Sequence, residues 1–535
     1  RYATEGFIQA EVDTILTNYD KLNKVFTVTI AVIEGVRALV GSIELPPEVA
    51  ETTGPQAPEI KLQTGHPFRI EDYLNDRIVL NSYYRDQGYF ESKISGILKP
   101  VENTITVIFT ANKGPKPRVG KIRKSKLGKT RLSTIERALT LKEGDLIHAT
   151  DLARSRKRLL EARVFQSVDI QAVPSEDEPQ VHDLVVDITE KPEVEINYGL
   201  RYSFERDKSK ATTTSDNYSS FQIGGSFDIL NPFGYGHRYG VSGFFFGKEQ
   251  FFRAFFETES FFGLHLPTQV YLSDENLYVR EISNLKTRIQ KITFQQYKKW
   301  GELFEANRWG ETLRLQWNYS FRHIILTPLD EEFDRLETDR GSISLALIGD
   351  TRNSFVNPMR GLFWSVSSEF ARTWLGSDVN YIKLFGQLYY YVPIGEDITW
   401  AIGLRLGAVP GENPVLIIED RFRAGGPNTI RAFPLNSLGP KNKLGEPLGG
   451  QAVFIFNQEL RFPIYKSFHG GIFYDAGNVF ALVQEMNFKD IRHSAGLGLR
   501  YMLPFGPIRF DWAYILDPKP GETRSRFVFS IGHAF

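Results

Sequence analysis

From Pro192 onward the chain alternates apolar and polar residues with a period of two. In "VEINYGLRYSFE", Val194, Ile196 and Tyr198 fall on one face, while Glu195 and Asn197 fall on the other. "PIRFDWAYIL" sets Ile508, Phe510, Trp512 and Tyr514 against Arg509, Asp511 and Ala513. The final stretch, "RFVFSIGHAF", reads as a last strand near 526–535, with Phe527, Phe529, Ile531 and Phe535 outward and His533 as the exception. A period of two is that of a β-strand with two unlike faces. Repeated over many strands with aromatics on the apolar face, it predicts a transmembrane β-barrel. In lipid every backbone N–H and C=O must pair, so the sheet has to close. At roughly 21 residues per strand and loop, residues 193–535 hold about 16 strands.

The first 192 residues carry a different rhythm. "YATEGFIQAEVDTIL" leads to "VFTVTIAVIEGVRALVGSIEL", "YYRDQGYFESKISGIL" to "TITVIFTANKGPKPRVGKIRK", and "LLEARVFQSVDIQAV" to "DLVVDITEKPEVEI". Each pair reads as a helix end followed by two alternating strands. The unit recurs roughly every 80 residues, which predicts an array of small modules. Ile70, Leu74 and Ile78 are spaced as one face of a helix in the second copy. Strand, helix, helix, strand, strand is the simplest complete module. The expected boundaries are 1–37 for a partial first module, then 38–116, 117–192 and the barrel at 193–535. The first copy lacks its opening strand and helix, and the chain begins at Arg1 without a signal peptide. Processing or truncation is therefore expected, with a native chain extending further toward its N-terminus.

Composition narrows the function. The chain has 64 basic and 64 acidic residues among 535, which argues against a nucleic-acid partner. It has no cysteine, so disulfides and thiolate metal sites are excluded. It has no apolar run long enough for a transmembrane helix. Its 41 phenylalanines concentrate after about residue 200, where "SGFFFGKEQFFRAFFETESFFG" would aggregate on a soluble surface and is ordinary against lipid. The basic stretches "KIRKSKLGKTRL" and "RSRKRLLEAR" fit a solvated face, or one set beside anionic headgroups. "GKT" at Gly128–Thr130 has Arg123 where a phosphate loop needs glycine. The nine histidines are scattered, and no catalytic constellation or cofactor motif is present, so a non-enzymatic role is expected.

The stretch "RFRAGGPNTIRAFPLNSLGPKNKLGEPLGG" belongs to a long loop, 411–450. Short turns in such barrels are periplasmic and long loops extracellular, and counting back from the C-terminus makes this the sixth outer loop. Its Arg431 is framed by Ile430, Ala432 and Phe433. In the following strands the period of two turns Glu459 and Asp475 toward the lumen. A glycine-rich loop can fold back inside, where a planar guanidinium can pair with both carboxylates.

These elements carry a resemblance. The modular repeat over 1–192 resembles the POTRA domain. "GGPNTIRAF", "NQELRFP", "FYDAG" and the terminal Phe535 resemble motifs of the POTRA-plus-barrel outer-membrane assembly superfamily, which includes BamA- and TamA-type insertases. The resemblance implies tandem α+β POTRA modules followed by a 16-stranded antiparallel transmembrane β-barrel. It implies a bacterial outer-membrane location with the modules in the periplasm. The implied role is folding and inserting β-barrel proteins or autotransporters through a lateral seam between the first and last strands. The alternative within the superfamily is a two-partner secretion transporter, which exports a protein through the lumen. Implied partners are unfolded outer-membrane β-barrel substrates and outer-membrane lipids, with periplasmic lipoproteins or an inner-membrane-anchored partner as further candidates, and no cofactor or metal. The loop-locking residues would be Ile430, Arg431, Ala432 and Phe433, with Glu459 and Asp475 as their lumenal partners. The seam would involve Val194, Ile196, Tyr198, Phe529, Ile531, Gly532 and Phe535. Ala432 stands where the superfamily usually has glycine, and would be strained if that position required positive φ.

Overall fold

The computed structural model describes residues 5–534 apart from 8–9, 21–24, 53–56, 127, 176–177, 179, 207–216, 247–248, 280–284, 300–311, 329–334, 396, 412–419, 444 and 504–505. The chain divides into two compact units, Arg1–Lys191 and Pro192–Phe535.

The first unit opens with a hairpin of β1 (Glu11–Asp20) and β2 (Val25–Ile33). Next come β3 (Leu39–Glu44), α1 (Pro47–Ala50), α2 (Ile70–Asp86), β4 (Lys93–Val101) and β5 (Thr104–Asn112). These strands form a sheet in the order β3-β5-β4, with β3 parallel to β5. The pattern repeats in β6 (Arg118–Lys124), α3 (Leu132–Ala138), α4 (Ala149–Glu161), β7 (Phe165–Pro174) and β8 (Val181–Glu190), ordered β6-β8-β7. Each repeat has its own apolar core. One gathers Val40, Leu80, Tyr84, Ile105 and Val107; the other gathers Val119, Leu141, Ile147 and Leu184.

Helix α2 forms, but its buried face differs from the one its spacing predicts. Leu74 and Ile78 are exposed, and Tyr73, Asp76, Leu80 and Tyr84 face inward. The tyrosines bury their rings while their hydroxyls bond Gly96 O and Glu48. Asp76 accepts the backbone N–H groups of Lys61 and Leu62, so its carboxylate is buried with partners.

The second unit is a 16-stranded antiparallel sheet whose strands pair in sequence order. Its first half is β9 (Val194–Arg206), β10 (Asn217–Leu230), β11 (Arg238–Phe246), β12 (Glu249–Thr258), β13 (Thr268–Val279), β14 (Leu285–Lys299), β15 (Thr312–Pro328) and β16 (Leu336–Asp350). The second half is β17 (Gly361–Ala371), β18 (Tyr381–Ile394), β19 (Ile398–Ala408), β20 (Ala452–Tyr465), β21 (Phe468–Phe480), β22 (Arg492–Leu503), β23 (Gly506–Ile515) and β24 (Ser525–Ile531). The alternation has the expected sense for a barrel in lipid. Phe245, Phe252, Leu272, Val366, Trp400, Phe510 and Trp512 are exposed on the outside, while Arg509, Asp511 and Ala513 are buried inside.

The last strand is shorter than the sequence pattern predicts. It ends at Ile531, where Gly532 takes φ +89°, a conformation few other residues adopt. Phe527, Phe529 and Ile531 face outward, but Ala534 is buried after the bend. Phe535 lies outside the described residues. In the order of the sheet β9 and β24 are the two ends. Val194, Ile196 and Tyr198 on β9 are exposed, Tyr198 by 91%.

Candidate functional site: a buried arginine inside the barrel

The loop between β19 and β20 folds into the barrel rather than outward. Two glycines shape its tip. Gly425 and Gly426 have φ of +107° and +102°, and a Cβ on Gly425 would stand 2.3 Å from Pro434 O. The Gly426 N–H donates to Phe433 O at 3.0 Å, and the Gly425 N–H donates to Thr429 Oγ1 at 2.9 Å. The resulting tight tip projects Arg431. Ile430, Ala432 and Phe433 are all buried, in an apolar cluster with Ile455, Phe473, Val479 and Ala513 of the wall. Ala432 lies outside the positive-φ region, so alanine carries no backbone strain there.

Arg431 has no solvent exposure. Its Nε and Nη2 donate to Asp475 Oδ2 and Oδ1, both at 2.8 Å, and its backbone N–H donates to Oδ2 at 3.1 Å. Its Nη1 donates to Glu459 Oε2 at 2.6 Å. The guanidinium lies 3.4 Å above the Phe473 ring.

The sheet register explains how one cation serves both acids. Asn457 is paired with Asp475, and Glu459 with Phe473. Glu459 and Asp475 are therefore diagonal neighbours on the lumenal face, with Phe473 between them. Diagonal pairs are roughly 7–8 Å apart, too far to bond each other but within the span of a guanidinium fork. Buried charges require such full pairing.

The network extends along the wall. Asn457 Nδ2 donates to Asp475 Oδ1 at 2.7 Å, and Arg405 Nη2 donates to Asn457 Oδ1 at 2.6 Å. Glu459 also accepts from Arg461 Nε at 2.9 Å and from Arg500 Nη2 at 2.8 Å. Arg509 Nη2 on β23 donates to Asn428 Oδ1 in the loop at 3.0 Å. The loop tip is thereby tied to β20, β21, β22 and β23. No ligand or metal is needed to satisfy Arg431.

The structure thus brings Arg431, Glu459 and Asp475 together. Val194, Ile196, Tyr198, Phe529 and Ile531 belong to the two end strands and Gly532 follows the last of them, and none is part of this cluster. Phe473 went unremarked in the sequence, although its parity with Asp475 already placed it on the lumenal face. Asn428 had no such signal, because its partner is 81 positions away.

Residues 231–535 match the Omp85 superfamily domain. Over 566 residues the chain is 25% identical to an outer membrane protein assembly factor BamA of Nitratidesulfovibrio vulgaris, covering 99% of this chain and 66% of that protein. Over 595 residues it is 24% identical to the Neisseria meningitidis protein of the same name, covering 100% of this chain and 71% of that one. The chain therefore spans about two thirds of the length of these relatives. In fold it is similar to the crystal structure of BamA from Haemophilus ducreyi lacking POTRA domains 1-3, with a TM-score of 0.62 at 18% identity over 93% of this chain and 98% of that one.

Proposed function

Because the chain belongs to the Omp85 superfamily, we propose that it folds and inserts other β-barrel proteins into a bacterial outer membrane, with its N-terminal modules in the periplasm. The observation that carries this reading is the mismatch between the end strands. β9 has 13 residues and β24 has seven, and Gly532 bends the chain away just where β24 stops. At least six residues of β9 are left without a partner from β24, even with the seam fully closed. Unpaired strand edges bind other strands. In lipid this drive is strong, because unpaired backbone groups find no water.

The mechanism is templating at an edge. An unfolded substrate strand hydrogen-bonds to the exposed edge of β9, and successive hairpins follow at the lipid boundary. The buried loop holds the wall from β20 to β23 firm, so opening is confined to the short β24 ladder. The modules at 38–116 and 117–192, with the partial one at 1–37, would receive substrate segments by strand addition at their own sheet edges. No cofactor or nucleotide enters this scheme. Outer-membrane lipids are the medium, and periplasmic lipoproteins or an inner-membrane-anchored protein would assist delivery.

Reconstitution into liposomes with a urea-diluted outer-membrane barrel as substrate tests the reading. The expected result is faster appearance of the folded, heat-modifiable substrate than in empty liposomes. Ion conductance without accelerated folding would instead identify a secretion pore of the two-partner type.

A further inference from the structure

The loop enters the barrel through a second buried ion cluster, distinct from that of Arg431. Asp420 is 3% exposed. Its Oδ1 accepts from Arg322 Nη1 on β15 at 3.0 Å, and its Oδ2 lies 3.6 Å from Arg340 Nε on β16. Its backbone carbonyl accepts from Lys383 Nζ on β18 at 2.7 Å. Arg322 also donates to Glu369 Oε1 at 2.7 Å and to Tyr381 Oη at 3.1 Å. Next in the loop, the Phe422 ring lies 4.7 Å below Lys383 Nζ and stacks on Phe385 at 6.2 Å.

The two clusters are mirror images in charge. At Arg431 the loop supplies the cation and the wall the carboxylates. At Asp420 the loop supplies the carboxylate and the wall the cations. They grip different strands, β15, β16 and β18 on one side of β19, and β20 and β21 on the other. Without Asp420, Arg322 and Lys383 would be left with Glu369 and Arg340 with Asp378, two carboxylates for three cations. Buried cations lacking counter-charges are costly, so the contact is strong enough to fix the loop.

We propose that Asp420 is a second latch for this loop, which makes the loop a brace across β19 whose two ends must both be seated for the barrel to work. Asp420 is a positioning residue, and its effect on activity rests on the insertase reading above.

The absence of cysteine from the chain permits a clean test. Ala424, between the latches, is 1% exposed, and Ala424→Cys places one thiol there. Its rate of labelling by a membrane-impermeant maleimide reports release of the loop, independently of insertion. Asp420→Asn, which keeps the side chain's shape, should raise that rate by about tenfold or more through local opening and should slow substrate insertion. Asp420→Glu, which keeps the carboxylate among Arg322, Arg340 and Lys383, should keep labelling within about threefold of the parent. Heat-modifiable migration establishes that each variant is folded, and if Asp420→Glu does not fold, Asp420→Asn alone decides. Labelling of Asp420→Asn at the parental rate would overturn the latch. Faster labelling with unchanged insertion would overturn the requirement for both ends. Failure of the parent chain to insert anything would count against the insertase reading alone, because labelling would still read the latch.

Discussion

Arg431 and Asp475 form a two-armed ion pair, 2.8 Å on each arm, and the backbone N–H of Arg431 bonds the same carboxylate. The pair joins a loop tip to β21 with both partners fully buried. Its geometry depends on the planar fork and not on charge alone. A lysine keeps the charge but cannot reach Asp475 with two parallel bonds and Glu459 with a third. Arg431→Lys is therefore expected to slow substrate insertion nearly as much as Arg431→Ala, by tenfold or more, on the estimate that breaking a buried pair costs about 3–5 kcal/mol. Side-by-side insertion rates in liposomes check this.

The loop tip sets a contrast between two small residues. Gly425 has positive φ and no room for a Cβ. Gly425→Ala should destabilise the seated loop by about 1–3 kcal/mol. Ala432 is unstrained, so Ala432→Gly should cost no more than roughly 1 kcal/mol, from added chain freedom. The temperature at which each variant loses heat-modifiable migration ranks them.

The module nearest the barrel in sequence has a pH-sensitive contact. Burial alone would raise the carboxyl pKa of Glu190, but bonds from the Thr130 hydroxyl and backbone N–H, with Lys124 nearby, lower it below its ordinary value of 4.5. A carboxylate lowered on folding contributes stability above its unfolded pKa and loses it as pH falls through the folded value. Protection of the 128–131 backbone against hydrogen exchange, corrected for intrinsic rates, should hold at neutral pH and decline below about 4.5. In Glu190→Gln it should be lower at neutral pH and no longer decline below that point.

Much of this architecture was legible in the sequence because a strand facing lipid and lumen obeys a simple parity rule. The same parity turned Glu459 and Asp475 toward the lumen, while Arg431 stood out by its apolar frame in a glycine-rich loop able to fold back onto them. The rule failed where local chemistry intervened. In α2, tyrosines that bury their rings and an aspartate that caps a neighbouring loop displaced Leu74 and Ile78 from the core. At the C-terminus the pattern, with His533 as its exception, predicts a strand near 526–535, but the backbone turns at Gly532. Asp420 was invisible because its partners lie on three distant strands, and nothing near it in sequence announces them.

On the proposed function, substrates enter through an edge exposed between β9 and β24. Pairs of cysteines introduced between Val194–Tyr198 and Phe529–Ile531, in a chain that has none of its own, can lock that seam on oxidation. Substrate insertion by the same liposomes should stop when the bond forms and return when it is reduced. Full insertion activity with the seam oxidised would contradict the account.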